Sequence, residues 1–337
     1  MNIEINLYPI KLKKKYGYID REGIIVIENK FDYAEEFYDN LAIASVEDKY
    51  GFINKAGEFV IEPVYDDVRQ FSEGFAEVKL KGLSGYIDMR GNLIVNPKYE
   101  ETNFFMEGRA AVKSGYMWGY IDNEGSEVVP TSFLDAQDFS EGLAAVQIGG
   151  KIAYIDKDGK VIIDAKYDYA YAFKDGIAPV CTNGRYGYIN SSGENIIPLH
   201  YTVAGEFNEG LAPVEVRDKY GFIDDKGKIV IKPSFQWADS FYKGIAAISE
   251  NDKYGFIDKS GSIIIPAIFD DVDIISEGLI AVQIGEKWGY IDCIGKIVID
   301  ASFEEAYEFT DGIARVELGK RIGYIDKLGE YLWKLQS

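Results

Sequence analysis

The sequence is poor in the residues that chemistry most often needs: two cysteines and one histidine in 337 residues. Cys181 and Cys293 fall at different positions of the pattern described below, which excludes a repeating disulfide or zinc site and fits a reducing compartment. Positive charge is also scarce, with 36 Lys and Arg against 56 Asp and Glu for a net −20. Nucleic acid is thereby excluded as a partner, because binding it requires cations that neutralise phosphates, and an anionic membrane surface is disfavoured. No apolar run approaches the length of a membrane span, and Met1–Lys15 has no continuous apolar stretch of the signal-peptide kind. The expectation is a soluble cytoplasmic protein, with a secreted chain whose leader has been removed as the alternative.

What the sequence has in abundance is one motif, clearest at Lys219–Pro233: Lys-Tyr-Gly-Phe-Ile-Asp-Asp-Lys-Gly-Lys-Ile-Val-Ile-Lys-Pro. The Gly of its Tyr-Gly pair recurs at residues 17, 51, 85, 119, 187, 221, 255, 289 and 323, with Ala153 in the remaining place, always 34 residues apart. Such a period makes the chain one array of units, approximately 1–34, 35–68, 69–102, 103–136, 137–170, 171–204, 205–238, 239–272, 273–306 and 307–337.

Each unit begins with a short strand of Gly-Leu-Ala-Pro-Val-Glu-Val type (Gly210–Val216), in which Ala recurs two residues after the Gly. A small residue held so regularly implies crowding, as on an innermost strand. The second strand is aromatic-Gly-aromatic-Ile-Asp, with Lys or Arg before it in eight of ten units. Asp-x-x-Gly then predicts a type I turn closed by a left-handed Gly. The third strand is β-branched, as in Ile229-Val230-Ile231, and often ends in Pro, which suits an edge. The last unit's third strand is Tyr331–Leu335. An aromatic-Asp-x-Ala-x-x-Phe connector follows, with Ile275 standing where eight other copies have Phe.

A 34-residue period also belongs to two-helix repeats, but repeated Gly, runs of Ile and Val, and a turn every dozen residues are wrong for helices. The fold class is all-β: ten tandem three-stranded β-meanders. Side chains alternate faces along a strand, and apolar residues cover both faces of each meander, so meanders must stack face to face. A propeller-like ring or shallow spiral of blades meets that requirement, and so does an open β-solenoid. Ten meanders fill the length with no separate polar cap at either end, which favours ends that meet.

The Tyr/Trp-Gly-Tyr/Phe-Ile-Asp-x-x-Gly core, with Trp118-Gly119 and Lys287-Trp288-Gly289 as its most typical copies, resembles the WG (KWG) repeat family, and Phe139–Ala144 matches that family's pattern too. Ser84, Ile152-Ala153 and Ile322 depart from it. The resemblance implies a bacterial β-repeat protein that mediates interactions, and no catalytic residue or cofactor.

Several local features invite a sharper reading. Asp156-Lys157-Asp158-Gly159 imitates the start of a calcium loop, but it lacks the downstream Glu and reads as hairpin geometry. The recurrent Lys and Arg could form a cationic ring, although pairing with the recurrent acids explains them more simply. His200 has no nucleophile motif beside it, so no catalytic, cofactor or metal site is assigned. Large residues at positions the repeat leaves variable are better binding candidates: Phe104, Met106, Arg109, Tyr116 and Met117 in one group, Tyr169, Tyr171, Trp237 and Tyr307 in another. Exposed aromatics and Arg are typical interface anchors. The expected function is a non-enzymatic scaffold for a protein partner. Binding of glycan or cell envelope through aromatics is the alternative, and a hydrolase comes third.

Overall fold

A computed structural model describes residues 6–319 and 321–334. Among these, every regular element is a β-strand. Contacts divide the chain into two compact units, residues 1–183 with 189–194, and residues 184–188 with 195–337, so that the division passes through the sixth repeat. Five antiparallel sheets lie wholly in the first unit and four in the second, each built from consecutive strands in sequence order.

The second sheet serves as the pattern: β1 (Tyr33–Ala34), β2 (Ala42–Val46), β3 (Lys49–Ile53) and β4 (Phe59–Tyr65). The three expected strands are present, and a fourth precedes them. The connector's Asp-x-Ala backbone pairs with the first long strand, Tyr33 opposite Ser45 and Ala34 opposite Ala44. Most sheets are therefore four-stranded rather than three-stranded, and the strand expected to lie innermost is second from the edge. In the last sheet the outer strand covers Tyr331–Trp333, and Leu335 lies outside the described residues.

The core is between sheets, not within them. Phe52 and Ile43 of the second sheet join Val68, Phe71, Ala76, Val78 and Ile87 of the third in one buried cluster. On the opposite side Ile53, Ala42 and Ala44 join Tyr18, Ile27 and Phe31 of the first sheet. The alternation of β3, aromatic one way and Ile the other, places each sheet as a slab between its predecessor and its successor, in a propeller-like stack of blades. Alanine recurs on the first long strand because the previous sheet's aromatic rings press against it.

The tightest link between slabs is a ring pair. Tyr18 meets Phe37 of the following connector at 4.9 Å between centroids, Phe52 meets Phe71 at 4.7 Å and Tyr120 meets Phe139 at 4.9 Å. The second unit repeats this with Tyr188–Phe207, Phe222–Phe241 and Tyr290–Phe309 at 4.8–4.9 Å. Where the ring is Tyr, its hydroxyl donates to a connector carbonyl 17 residues on: Tyr18 to Glu35 at 2.7 Å, Tyr120 to Gln137 at 2.6 Å, Tyr188 to Gly205 at 2.7 Å. Burial pushes the Tyr120 and Tyr188 phenols far above their usual range.

Glutamates reinforce the stack. In the turn before each first long strand, Glu107 and Gly108 both have positive φ (53° and 76°), as a two-residue type I′ turn requires. Their N–H groups donate at 2.7 Å to the two carboxylate oxygens of Glu73, which holds the same place one repeat earlier. Glu107 in turn accepts from Glu141 and Gly142, and Glu277 accepts from Gly312 at 2.9 Å. Ammonium groups complete three of these clamps, Lys157 on Glu107, Lys259 on Glu209 and Lys327 on Glu277.

The Asp-x-x-Gly hairpin forms as expected, with Asp20 Oδ1 accepting the N–H groups of Glu22 and Ile24. Its Gly has a second duty beyond its positive φ. A Cβ on Gly57 (φ +76°) would lie 2.6 Å from Ile27 Cγ2 of the preceding sheet. That Ile is the buried member of the β-branched trio, whose other members are largely exposed (Ile25 37%, Val26 46%). The expectation that the trio covers both faces is thus corrected: the third strand is an outer edge, wet on one side. The recurrent Lys pair with recurrent acids, as in Lys15–Asp32 at 2.6 Å, Lys49–Asp66, Lys151–Asp168 and Lys253–Asp270.

Tyr120→Phe keeps the ring pair but withdraws the donor from the Gln137 carbonyl, so we expect a loss of about 1 kcal/mol in urea unfolding, with no change of fold by circular dichroism. Acid sensitivity follows from the clamps. Lys49, Lys151 and Lys253 hold Asp66, Asp168 and Asp270 below the ordinary carboxylate value, and Lys259 and Lys327 do the same for Glu209 and Glu277. Folded values below unfolded ones mean stability that is fully present above the ordinary carboxylate values of 3.8 and 4.5 and is lost as pH falls through the lowered ones. Urea midpoints should be flat from neutral pH to about pH 5 and drop steeply below about pH 4; a midpoint unchanged in acid would contradict the clamps.

Candidate functional site

In the second unit, one joint lacks the ring pair that the other described joints keep, together with three further links that some of them have. The eighth sheet comprises β5 (Trp237–Ala238), β6 (Ile245–Glu250), β7 (Lys253–Asp258) and β8 (Ile263–Phe269). The ninth begins with β9 (Asp271–Ser276) and β10 (Leu279–Ile284). Position 275, which should supply the Phe that meets Phe256, is Ile. Phe256 itself has no hydroxyl to donate to the carbonyl of Asp273. Lys243 stands where Glu73, Glu107, Glu141, Glu209 and Glu277 form clamps, so no carboxylate holds the next turn. Tyr242 stands where Ser72, Ser140 and Ser276 donate Oγ to the next connector's carbonyl.

These lapses leave an open cleft of about 310 Å³ whose floor includes Phe256 and Ile275. Aromatic walls come from Trp237, Tyr242 and Tyr254, and carboxylates from Asp239, Asp271 and Asp273. The connector changes shape to make it. Where others leave the sheet after two residues, Asp271–Ser276 runs on as a bulged strand, Val272 opposite Val282 and then Ile275 opposite Ile280. Ile280 replaces the recurrent Ala and is fully buried, so bulk removed from the connector reappears on β10. Ala247, buried at the equivalent Ala111, Ala145 and Ala281, is only half-buried here.

Trp237 and Tyr254 stand edge to face with centroids 5.8 Å apart. The three aspartates spend one oxygen each on a neighbouring N–H, of Ser240, Val272 and Ile274. Among the described residues no Lys or Arg pairs with them. Lys243 lies 5.0 Å over the Tyr242 ring and donates to the Ile275 carbonyl at 3.4 Å, at one end of the cleft. Concave, aromatic and carrying a few converging carboxylates, the cleft has the makings of a site for a small organic cation.

Of the residues singled out from the sequence, Trp237 alone lines this cleft. Phe104 and Met106 are exposed on a first-unit connector, Phe104 lying 5.8 Å from the Arg69 guanidinium. Tyr116 and Met117 sit at the far tip of the same sheet's hairpin, Tyr116 90% exposed, so the strand Arg109–Ser114 separates them from Phe104 and Met106. Arg109 is committed to backbone, its Nε to Lys157 O at 3.2 Å and its Nη1 to Gly108 O at 3.0 Å. Tyr169 and Tyr171 are exposed on a short strand and just after it. Tyr307 packs under Arg315 at 5.1 Å and donates to Glu317 at 3.2 Å.

His200 is exposed against Tyr201. Asp156 turns its Oδ1 to the N–H groups of Asp158 and Lys160, a hairpin role. The sequence reading passed over Glu77, a charge at a position that is otherwise small or apolar in most repeats. It is 7% exposed, accepts from Ser84 Oγ at 2.6 Å and lies 3.1 Å from Arg69 Nε. Ser84, the missing aromatic of its motif, was the available signal. For the cleft the signal was Ile275, noted as an exception but not joined to Tyr242, Lys243 and Ile280.

Comparison with known proteins adds a family and a fold. The family described as "WG containing repeat" matches nine consecutive stretches, residues 16–50, 50–83, 85–117, 118–151, 153–186, 186–220, 220–254, 254–288 and 288–321. No curated protein matches the chain in sequence. Among solved structures the chain is similar to a crystal structure of the eukaryotic initiation factor, at 11% identity and a TM-score of 0.58 over 97% of this chain and 94% of that one. Hsv2p of Kluyveromyces lactis is a weaker likeness (9% identity, TM-score 0.40, 77% and 92% covered). So is PorZ of Porphyromonas gingivalis, a surface component of the type-IX secretion system, of which the chain covers 59% (11% identity, TM-score 0.29, 98% of this chain).

Restoring the usual pair by Ile275→Phe with Ile280→Ala should close the cleft and raise stability by about 1 kcal/mol, read as a higher urea midpoint. An unchanged or lower midpoint would mean that the cleft does not arise from the exchange of these two side chains.

Proposed function

The chain belongs to the WG-repeat family, and from that premise we propose that it is a non-enzymatic scaffold for protein–protein interaction. The observation that supports this reading is where the repeat is broken. Buried positions recur because every joint needs them, whereas Phe104, Tyr116, Tyr169 and Trp237 are large and exposed at positions that most units fill otherwise. Solvent-facing aromatics are the kind of residue that anchors a partner. The acidic surface adds to this, since net charge of one sign steers a partner of the other.

Glycan binding is the second reading, favoured by Trp237 and Tyr254 facing an open cleft. Sugar rings stack on such faces. Cytoplasmic placement belongs to the same proposal and rests on the scarcity of cysteine, two residues at different positions of the repeat.

Photo-crosslinkers placed singly at Phe104, Tyr116 and Tyr169 should each capture a discrete protein from native lysate, while one at Glu62 on an outer strand should not. The alanine variants at these sites should keep stability to within about 0.5 kcal/mol and lose about tenfold in affinity for the captured partner. Identical adducts at all four positions, or a positive glycan array with silent crosslinkers, would overturn the scaffold reading.

A further inference from the structure

We propose that the cleft between the eighth and ninth sheets is a receptor for an arginine side chain carried on a basic peptide segment. The inference rests on the scaffold reading only in taking the partner to be a protein, and it names the chemistry by which one site would hold it.

The walls select a cation. Trp237, Tyr242 and Tyr254 present aromatic faces and edges, and a guanidinium is attracted to the negative face of such rings. Asp239, Asp271 and Asp273 line the same space with carboxylate oxygens that no described Lys or Arg neutralises. A neutral sugar would leave that charge uncompensated, and an anion would be repelled. A guanidinium is flat enough to stack on an indole and can fork two N–H donors to one carboxylate, which an ammonium cannot. Lys243 lies over Tyr242 and donates to the Ile275 carbonyl, contacts that involve neither Trp237 nor Tyr254. The volume of about 310 Å³ suits a single long side chain rather than a folded element.

The position in the array supports the same reading. Ring pair, hydroxyl donor, glutamate clamp and serine link are all missing between these two sheets among the described residues; Phe256 stays buried, and Ala247 is left only half-buried. The joint keeps a buried cluster of its own, Phe256, Ile265 and Phe269 with Ile280, Val282 and Ile291, so the cleft is an opening beside a closed core. The chain's net −20 would draw a basic segment toward the surface before the cleft engages it.

The test uses the full chain and the indole N–H resonance of Trp237, assigned with a Trp237→Phe variant. An acetylated, amidated pentapeptide with one central arginine is titrated beside its citrulline twin, which has the same shape and no charge. The arginine peptide should shift the resonance saturably, and citrulline should not. Asp271→Asn with Asp273→Asn should weaken the arginine peptide about tenfold or more while leaving the melting curve in place, and raising salt from about 20 to about 500 mM should weaken it in wild type. Tyr116→Ala should bind as wild type does. Equal binding of citrulline, a resonance unmoved by the arginine peptide at about 20 mM, or saturation by tetramethylammonium or a chitin oligosaccharide without arginine binding would each overturn the proposal. Capture of a partner at Phe104, Tyr116 or Tyr169 does not depend on this cleft, so the scaffold reading can survive when the arginine site fails.

Discussion

The structure depends on one contact, kept at every described joint but the one after the eighth sheet: an aromatic ring on the second long strand pressed against the Phe of the next connector, at a centroid spacing of 4.7–4.9 Å. That contact sets the distance between slabs. Alanine on the facing strand, Gly at the hairpin and the reach of a Tyr hydroxyl to a carbonyl are all adjustments to it. Each pair adds about 0.5–1.5 kcal/mol beyond the area it buries, and because it recurs at nearly every joint, a small side-chain preference becomes a fold. The glutamate clamps work on the same joints from the turn side, satisfying N–H groups that point away from their own hairpin.

Much of this was legible in the sequence because the repeat shows each position many times over. A Gly or an aromatic that returns every 34 residues identifies its constraint without any structure. Strand order, the hairpin Gly, the opposite facing of aromatic and Ile on β3, and the stacking of slabs could all be read that way. The two-residue strand could not, since Asp-x-Ala pairs through backbone atoms and leaves no pattern in its side chains. The wet side of the third strand was misread for a related reason. Ile and Val are favoured on any pleated edge, so their presence in Ile25-Val26-Ile27 does not report burial on both faces.

For the candidate site the logic inverts. Repetition conceals whatever a single unit does, and only departures carry information about it. Tyr242, Lys243, Ile275 and Ile280 are unremarkable one at a time. Their meaning comes from converging on one joint across some 40 residues of sequence, which the pattern alone does not place side by side. Trp237 could be singled out because it is large and irregular, and the structure supplies its neighbours. Glu77 and Ser84 make the same point in the first unit: two exceptions to the repeat that prove to be one buried hydrogen bond.

The outer strands carry a consequence of their own. Each ends its sheet with unpaired backbone groups and exposed β-branched side chains, an invitation for a strand from another molecule to add on. Six of them hold a proline, at residues 63, 97, 130, 198, 233 and 266, which denies a donor to an incoming chain. Ile25–Phe31, Val161–Tyr167, Ile297–Phe303 and the short Tyr331–Trp333 hold none. For those four the remaining safeguard is mutual repulsion between molecules of net charge −20. It is a safeguard of dilute electrolyte, fading once counterions screen it over less than about 10 Å, so the ionic strength of the medium governs how long these molecules remain apart.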